Sequence, residues 1–201
     1  MNNKWKWVYN PFEKIAGWEA FGIGLVILCV ITVTGYFFNM VFYGISIKTV
    51  QSVSFGNAFL LQFSGLIILV LVMWTAALIF AKNVRFQDIL GTVTLAKYPL
   101  ILSLFVFIPF KNRFNEFTEK LMSVNVSEMS NVITTSDYLF LMAFLIIMFS
   151  IIVWEIVLLF NAFRVSTNLK GIKSIGIFAA IMFISEIIIF ISVLIFSLFK
   201  Y

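Results

Sequence analysis

Three ionisable side chains lie within long apolar runs, where they are the residues with the clearest capacity for chemistry. These are Lys97, Glu155 and Glu186. A charged side chain at the centre of a bilayer costs about 3 kcal/mol on insertion scales, so each one needs a partner or water. Tyr98 and Pro99 follow Lys97 directly, and a proline removes a backbone hydrogen bond and kinks a helix. This set indicates either a structural ion pair or a path for ions or protons.

The depths of these residues decide which of them can pair. With a rise of about 1.5 Å per residue, Lys97 lies roughly 14 Å beyond Asp88, and Glu155 lies roughly 9 Å before Asn161. Glu186 lies roughly 20 Å along the last apolar segment. We therefore expect Lys97 to pair with Glu155 or with Glu186 inside a helix bundle. The pair would then serve transport, or it would only fix helix register; alternatively, the lysine extends its ammonium toward the headgroups without pairing.

The remaining residue types offer little for catalysis. Histidine is absent and Cys29 is the only cysteine. This excludes Ser-His-Asp and Cys-His nucleophiles, a disulfide within the chain, and thiol or imidazole metal sites. The nine acidic residues form none of the close groups that would hold magnesium. We expect neither an enzyme nor a cofactor.

Composition places the chain in lipid. The sequence is 62% hydrophobic and 11% charged, whereas soluble domains average about 45–50% apolar and about 25% charged residues. The net charge is +5, but the basic residues are spread over short loops instead of one face, so nucleic acid is not expected as a partner. The lipid bilayer is the expected partner.

Apolar segments of about 20 residues or more predict an all-α integral membrane protein, a bundle of five transmembrane helices. The predicted spans are residues 17–44, 58–81, 88–110, 138–160 and 175–199, which together with their loops make up a domain over 17–201. Pro109 is expected to end the third span, before a long polar connection over 111–136. Residues 1–16 form a separate segment, in which Asn10, Pro11 and Glu13 predict the start of a short interfacial helix.

Lysine and arginine counts set the orientation, because cytoplasmic loops are enriched in them. With the N-terminus inside, eight basic residues face the cytoplasm and five face outward. Arg85, Arg164 and the acidic Asp88 are then charges of the cytoplasmic face, with Asp88 expected to cap the third span. This predicts an N-terminus inside and a C-terminus outside, in the inner membrane of a bacterium.

Several short motifs resemble those of the Yip (Ypt-interacting protein) domain family, in its bacterial form. They are the opening Asn10-Pro11-Phe12-Glu13-Lys14-Ile15-Ala16-Gly17-Trp18, the run Asp88-Ile89-Leu90-Gly91-Thr92, the element Lys97-Tyr98-Pro99, and the exit Trp154-Glu155…Asn161-Ala162-Phe163-Arg164. The resemblance covers most of the chain and implies five spans and a membrane protein without an assigned reaction. Eukaryotic relatives contact Rab-type GTPases through a longer N-terminal region, and that role is not expected here.

Two functions follow from these observations. The first is a non-enzymatic membrane protein that organises membrane or binds a membrane partner, with self-association through small-residue faces such as Ala16, Ala20 and Gly24. The second is a small ion- or proton-coupled or lipid permease that uses Lys97, Glu155 and Glu186. A subunit of an export system is a more distant alternative.

Overall fold

The computed structural model describes residues 6–49, 54–81, 83–123 and 134–198. Five helical segments in it are long and apolar enough to cross a membrane. They are Gly17–Phe37, Phe55–Phe80, Phe86–Lys120, Thr135–Thr167 and Gly171–Ile195. Residues 1–5 of the predicted N-terminal segment, residues 124–133 of the predicted polar connection and the last residue of the fifth predicted span lie outside the described residues.

The described part of the chain is mainly helical and contains one short β-hairpin. The elements in order are α1 (Lys6–Tyr9), a 3-10 turn (Pro11–Glu13), α2 (Gly17–Phe37), β1 (Met40–Tyr43), β2 (Ser46–Thr49), α3 (Phe55–Phe80), α4 (Phe86–Leu95), α5 (Leu100–Ser123), α6 (Thr135–Thr167) and α7 (Gly171–Leu198). The prediction of five long apolar helical segments is confirmed for the described residues; the third of these segments is made of α4 and α5. The prediction of an all-α fold is modified by the hairpin.

The small-residue face of α2 is used within the chain. Ala20 is fully buried, and an added Cβ on Gly24 would lie 2.6 Å from the backbone nitrogen of Leu95 in α4. Such a contact means that the two helix backbones touch at this point, as small residues permit. Ala16 is exposed and lies before the helix, so it does not belong to this face.

The first span was predicted to reach Gly44, and this boundary is wrong. The helix α2 ends at Phe37, and Met40–Thr49 turns back as an antiparallel hairpin with Tyr43 paired to Ser46. The strand β1 is buried, with Met40 only 1% exposed. Its apolar side chains continue the hydrophobic run of α2, which is why the run alone suggested a longer helix.

The third span is broken in its middle, as Pro99 predicted. The helix α4 ends at Leu95, residues 96–99 form a turn, and α5 begins at Leu100. Pro109, however, lies inside α5, which continues to Ser123, so the prediction that it ends the span is wrong. Polar residues after Pro109 extend this helix instead of opening a loop.

The polar end of α5 contacts the start of α6. The Lys120 ammonium lies 3.0 Å from a carboxylate oxygen of Asp137. Arg113 donates a hydrogen bond of 2.8 Å to the hydroxyl of Ser136. Thr134 and Asp137 form a capping box that fixes the first turn of α6. These contacts join two helices across the polar connection predicted over 111–136.

The N-terminal segment is packed against the bundle and is not a continuous interfacial helix. Phe12 is 1% exposed and belongs to the main core. Asn10 does not cap the turn through its side chain, and its amide instead donates to the Glu13 carboxylate at 2.9 Å. The helix start predicted from Asn10, Pro11 and Glu13 is therefore a 3-10 turn, with a hydrogen bond between the Asn10 and Glu13 side chains.

Candidate functional site

Lys97 and Glu155 form a buried ion pair, one of the two pairings that the sequence predicted. The Lys97 ammonium lies 2.6 Å from Oε1 of Glu155. Lys97 is 4% exposed and Glu155 is fully buried. Because the turn after α4 places Lys97 inward and α6 brings Glu155 opposite, the lysine does not extend toward a surface.

The Lys97 ammonium also holds the tip of the β-hairpin. It donates a second hydrogen bond of 2.7 Å to the backbone oxygen of Gly44. The next backbone nitrogen, that of Ile45, donates 3.1 Å to Oε1 of Glu186 in α7. One peptide group, between Gly44 and Ile45, is therefore bonded at its oxygen by a lysine and at its nitrogen by a glutamate.

The hairpin tip can lie this close to α3 and α7 because the residues at two tight contacts are glycines. Gly44 is the first central residue of the two-residue turn and has φ +58°, as the primed hairpin turns require. Gly65 in α3 faces it, and an added Cβ there would lie 2.8 Å from the Gly44 nitrogen. A larger residue at either position would push the hairpin out of the bundle.

The charged cluster of Lys97, Glu155 and Glu186 supplies the hydrogen-bond partners of this turn. The N–H and C=O of the central peptide of a two-residue hairpin turn are not bonded in the ladder, and inside a packed helix bundle they need partners in the protein. A cation for the oxygen and an anion for the nitrogen are the strongest partners available. Glu155 then balances the charge of the lysine.

The cluster carries more acid than base. Glu155 bonds only the lysine in it, whereas Lys97 and Glu186 both bond the hairpin directly. Oε2 of Glu155 is buried and has no hydrogen-bond partner among the described residues. An unpartnered carboxylate oxygen in a buried position is a costly feature.

The described cavity that borders Lys97 is small. A cavity of about 10 Å³ borders Lys97 and is also lined by Gln62, Tyr43 and Leu100. A single water molecule needs roughly this much room. Lys97 is therefore closely packed on the side of this cavity, which is too small to be a wide polar channel.

Tyr98 and Trp154, the neighbours of the ion pair in sequence, bind the N-terminal segment. The Tyr98 hydroxyl donates 2.6 Å and the Trp154 indole donates 2.9 Å to the same backbone oxygen, that of Val8. The two rings meet edge to face at 5.5 Å. Asn161 adds a hydrogen bond of 2.7 Å to the oxygen of Tyr9. These contacts fix the N-terminal segment across α6 and the turn at Lys97.

The predicted cytoplasmic-face charges do not join the cluster. Asp88 lies in the first turn of α4, and the residue at the N-cap position is Arg85, so the prediction that Asp88 caps this helix is wrong. The Asp88 carboxylate lies beside Gly17, where an added Cβ would be 3.5 Å from it. Arg85 is exposed. Arg164 is exposed and lies 5.5 Å from the ring centre of Phe160.

The sequence missed the contribution of Gly44 and Ile45 to the site. A signal was present, because Gly-Ile is followed by alternating Ser46, Ile47 and Lys48, a pattern typical of a strand after a turn.

The described side chains form no group of three that could hold a metal ion. Comparison of the chain with family models, with curated proteins and with solved structures found no match.

Proposed function

We propose that the chain is an integral membrane protein that crosses the bilayer five times, with its N-terminus inside and its C-terminus outside a bacterial inner membrane. The five long apolar helices support this proposal. The exposed surface of these helices supports it as well: Ile79 is 74% exposed and Phe183 is 71% exposed, which suits contact with lipid chains better than contact with water.

The depths of the cluster agree with this topology. The ten residues of α4 rise about 15 Å, which is half of a hydrocarbon core of about 30 Å. The four-residue strands of the hairpin span about 13 Å from the opposite surface. Lys97 and Gly44 thus approach the middle of the bilayer from opposite sides, where they meet.

Within the membrane, we infer a non-enzymatic role of the Yip-like type, in which the protein organises membrane or binds a membrane partner, another copy included. One observation carries this inference: the charged cluster is closed around the hairpin. Lys97 and Glu186 are occupied by the Gly44–Ile45 peptide, and the adjoining cavity has room for about one water molecule. Buried charges that are used to seat a backbone turn are part of the architecture and not of a conduction path.

Reconstitution tests this inference. Purified protein in liposomes of bacterial phospholipid is assayed for proton, sodium and potassium flux and for lipid scrambling, beside empty liposomes and Glu155→Gln. We expect rates equal to those of empty liposomes for both proteins. A flux above this background that disappears in Glu155→Gln would overturn the structural role.

A partner-binding role is tested separately by cross-linking. Cross-linking in intact cells, followed by purification in mild detergent, is expected to yield a discrete cross-linked species, with another membrane protein or with a second copy. Recovery of the wild-type chain only as an uncrosslinked monomer, together with no flux, would reject the partner reading and leave membrane organisation.

The permease is the second candidate, and the orphaned Oε2 of Glu155 favours it. One lysine for two acids leaves a carboxyl group that is able to bind and release a proton. In this alternative, the hairpin moves away from Lys97 and opens a path to Glu186. A proton flux that is lost in Glu155→Gln and in Glu186→Gln, but kept in Glu116→Gln outside the cluster, would establish it.

A further inference from the structure

A long apolar groove runs between α3 and α7. Its volume is about 510 Å³. Its lining comes from both helices: Val72, Thr75, Ala76, Ile79, Phe80, Gly176, Ile177, Ala180, Ile181, Ile184 and Ile188. The one hydroxyl in it, that of Thr75, donates to the backbone oxygen of Val72 at 2.9 Å, so the groove makes no polar demand on an occupant.

A lysine lies at one end of this groove. The Lys173 ammonium is 6.0 Å from the ring centre of Phe80, which lines the groove at the last residue of α3. Lys173 is exposed, and it stands one turn before Gly176. Under the proposed orientation this end is cytoplasmic, where anionic lipid headgroups attract basic residues.

The length of the groove points to an acyl chain and not to a helix. From Gly176 to Ile188, α7 rises about 18 Å, which is close to the depth of one leaflet in a core of about 30 Å. A partner helix would need a contact face across the whole membrane. A groove that begins below a headgroup-level cation and ends near the middle of the bilayer matches a single lipid of one leaflet.

We propose that this groove binds an anionic phospholipid of the cytoplasmic leaflet, with an acyl chain along Gly176 and Ala180 and the phosphate at Lys173. The proposal rests on the membrane topology proposed above. Small residues form the recess, since an added Cβ on Gly176 would meet no other heavy atom within 4 Å. The isoleucines beyond them form the wall against which the chain packs.

Native mass spectrometry of the detergent-purified full chain tests the site. The probes are dioleoylphosphatidylglycerol and dioleoylphosphatidylcholine, which share acyl chains and differ in net charge. We expect one retained lipid, with the anionic probe preferred about fivefold, as one lysine near a membrane surface provides. Lys173→Gln is expected to remove the preference, and Lys170→Gln, in the turn before α7, is the matched control that keeps it.

A second pair of variants separates the groove from the charge. Ala180→Trp fills the recess and is expected to remove the retained lipid, whereas Ala179→Trp, at the neighbouring exposed position, is expected to keep it. Equal retention of both probes by the wild-type chain, or retention that survives Ala180→Trp, overturns the proposal. A dimer in the same spectra that disappears with Ala180→Trp overturns it in favour of a second copy.

The membrane topology has its own readout. Extraction of cell membranes with alkaline carbonate is expected to leave the wild-type chain and all four variants in the membrane pellet. A chain that remains in the pellet but shows no lipid preference overturns the lipid site alone. A chain that is released by carbonate overturns the topology and the lipid site together.

Discussion

Lys97 and Glu186 bind the two ends of one peptide group. The ammonium of Lys97 donates a hydrogen bond of 2.7 Å to the oxygen of Gly44, and the carboxylate of Glu186 accepts a hydrogen bond of 3.1 Å from the nitrogen of Ile45. The two side chains come from the third and the fifth of the long apolar segments. A backbone turn inside the bundle is thereby tied to helices that are far apart in sequence.

The turn at Gly44 should not tolerate a side chain. In Gly44→Ala, the left-handed φ costs about 1–2 kcal/mol, and the new Cβ would lie 2.6 Å from Oε1 of Glu186. The carboxylate must then move from the Ile45 nitrogen. We expect a loss of about 2 kcal/mol in the free energy of unfolding, measured in detergent by circular dichroism.

Gly56→Ala is the control for this change. Gly56 lies in the first turn of α3, and an added Cβ there meets nothing within 4 Å. It should leave stability unchanged or raise it slightly. Equal stabilities for the two variants would show that the turn is not seated as described.

Removal of the lysine from the buried ion pair should destabilise the protein. Lys97→Met leaves Glu155 charged and buried without its partner, and it leaves the Gly44 oxygen unbonded. A broken buried pair typically costs 3–5 kcal/mol, so we expect a loss of about 3 kcal/mol or more in the free energy of unfolding. Removing the charge of the acid as well, in Lys97→Met with Glu155→Gln, should recover part of this loss.

Lys170→Met serves as the control, since Lys170 is exposed. Its unfolding free energy should match that of the wild-type chain within about 0.5 kcal/mol. An unchanged stability of Lys97→Met would contradict the buried pair.

The contact between α2 and α4 should depend on Gly24 and not on Gly22. Gly24→Ala places a methyl group 2.6 Å from the α4 backbone and should cost about 1–3 kcal/mol, because a backbone has little freedom to move aside. Gly22→Ala meets no atom within 4 Å and should stabilise the helix by up to about 1 kcal/mol. Thermal unfolding of both variants in one detergent distinguishes them, and a common sign of the two shifts would refute this contact.

The orientation is tested by cysteine labelling in a Cys29→Ala background. Asn112, in the polar part of α5 after Pro109, and Arg85, just before α4, are both exposed and lie toward opposite ends of the third long apolar segment. A membrane-impermeant maleimide should label Asn112→Cys in intact spheroplasts and should label Arg85→Cys only after lysis. The reverse pattern would place the N-terminus outside.

The helices and the ion pair could be predicted because each depends on local information. Apolar length defines the spans, and rise per residue places Lys97 and Glu155 at overlapping depths. The break at Pro99 follows from proline chemistry alone. Pro109 shows the limit of the same rule, since α5 continues through it and its polar extension contacts Ser136 and Asp137.

The hairpin could not be predicted from hydrophobicity. Met40 to Tyr43 are as apolar as the helix before them, and what separates the two elements is a tertiary fit. That fit needs Gly65 on α3 and Glu186 on α7, which lie far from the hairpin in sequence. The second hydrogen bond of Lys97 could not be predicted for the same reason, because its acceptor is a backbone oxygen of the hairpin.

Amide hydrogen exchange at Ile45, followed by NMR on the protein in lipid nanodiscs, tests the central claim most directly. If Glu186 holds this amide inside the bundle, Ile45 should exchange far more slowly than Gly56, which lies in the unpaired first turn of α3, and Glu186→Ala should remove its protection. An Ile45 amide that exchanges as fast as Gly56 in the wild-type chain would contradict the account, because the hairpin tip would then lie in water and Lys97 would lack the partner described here.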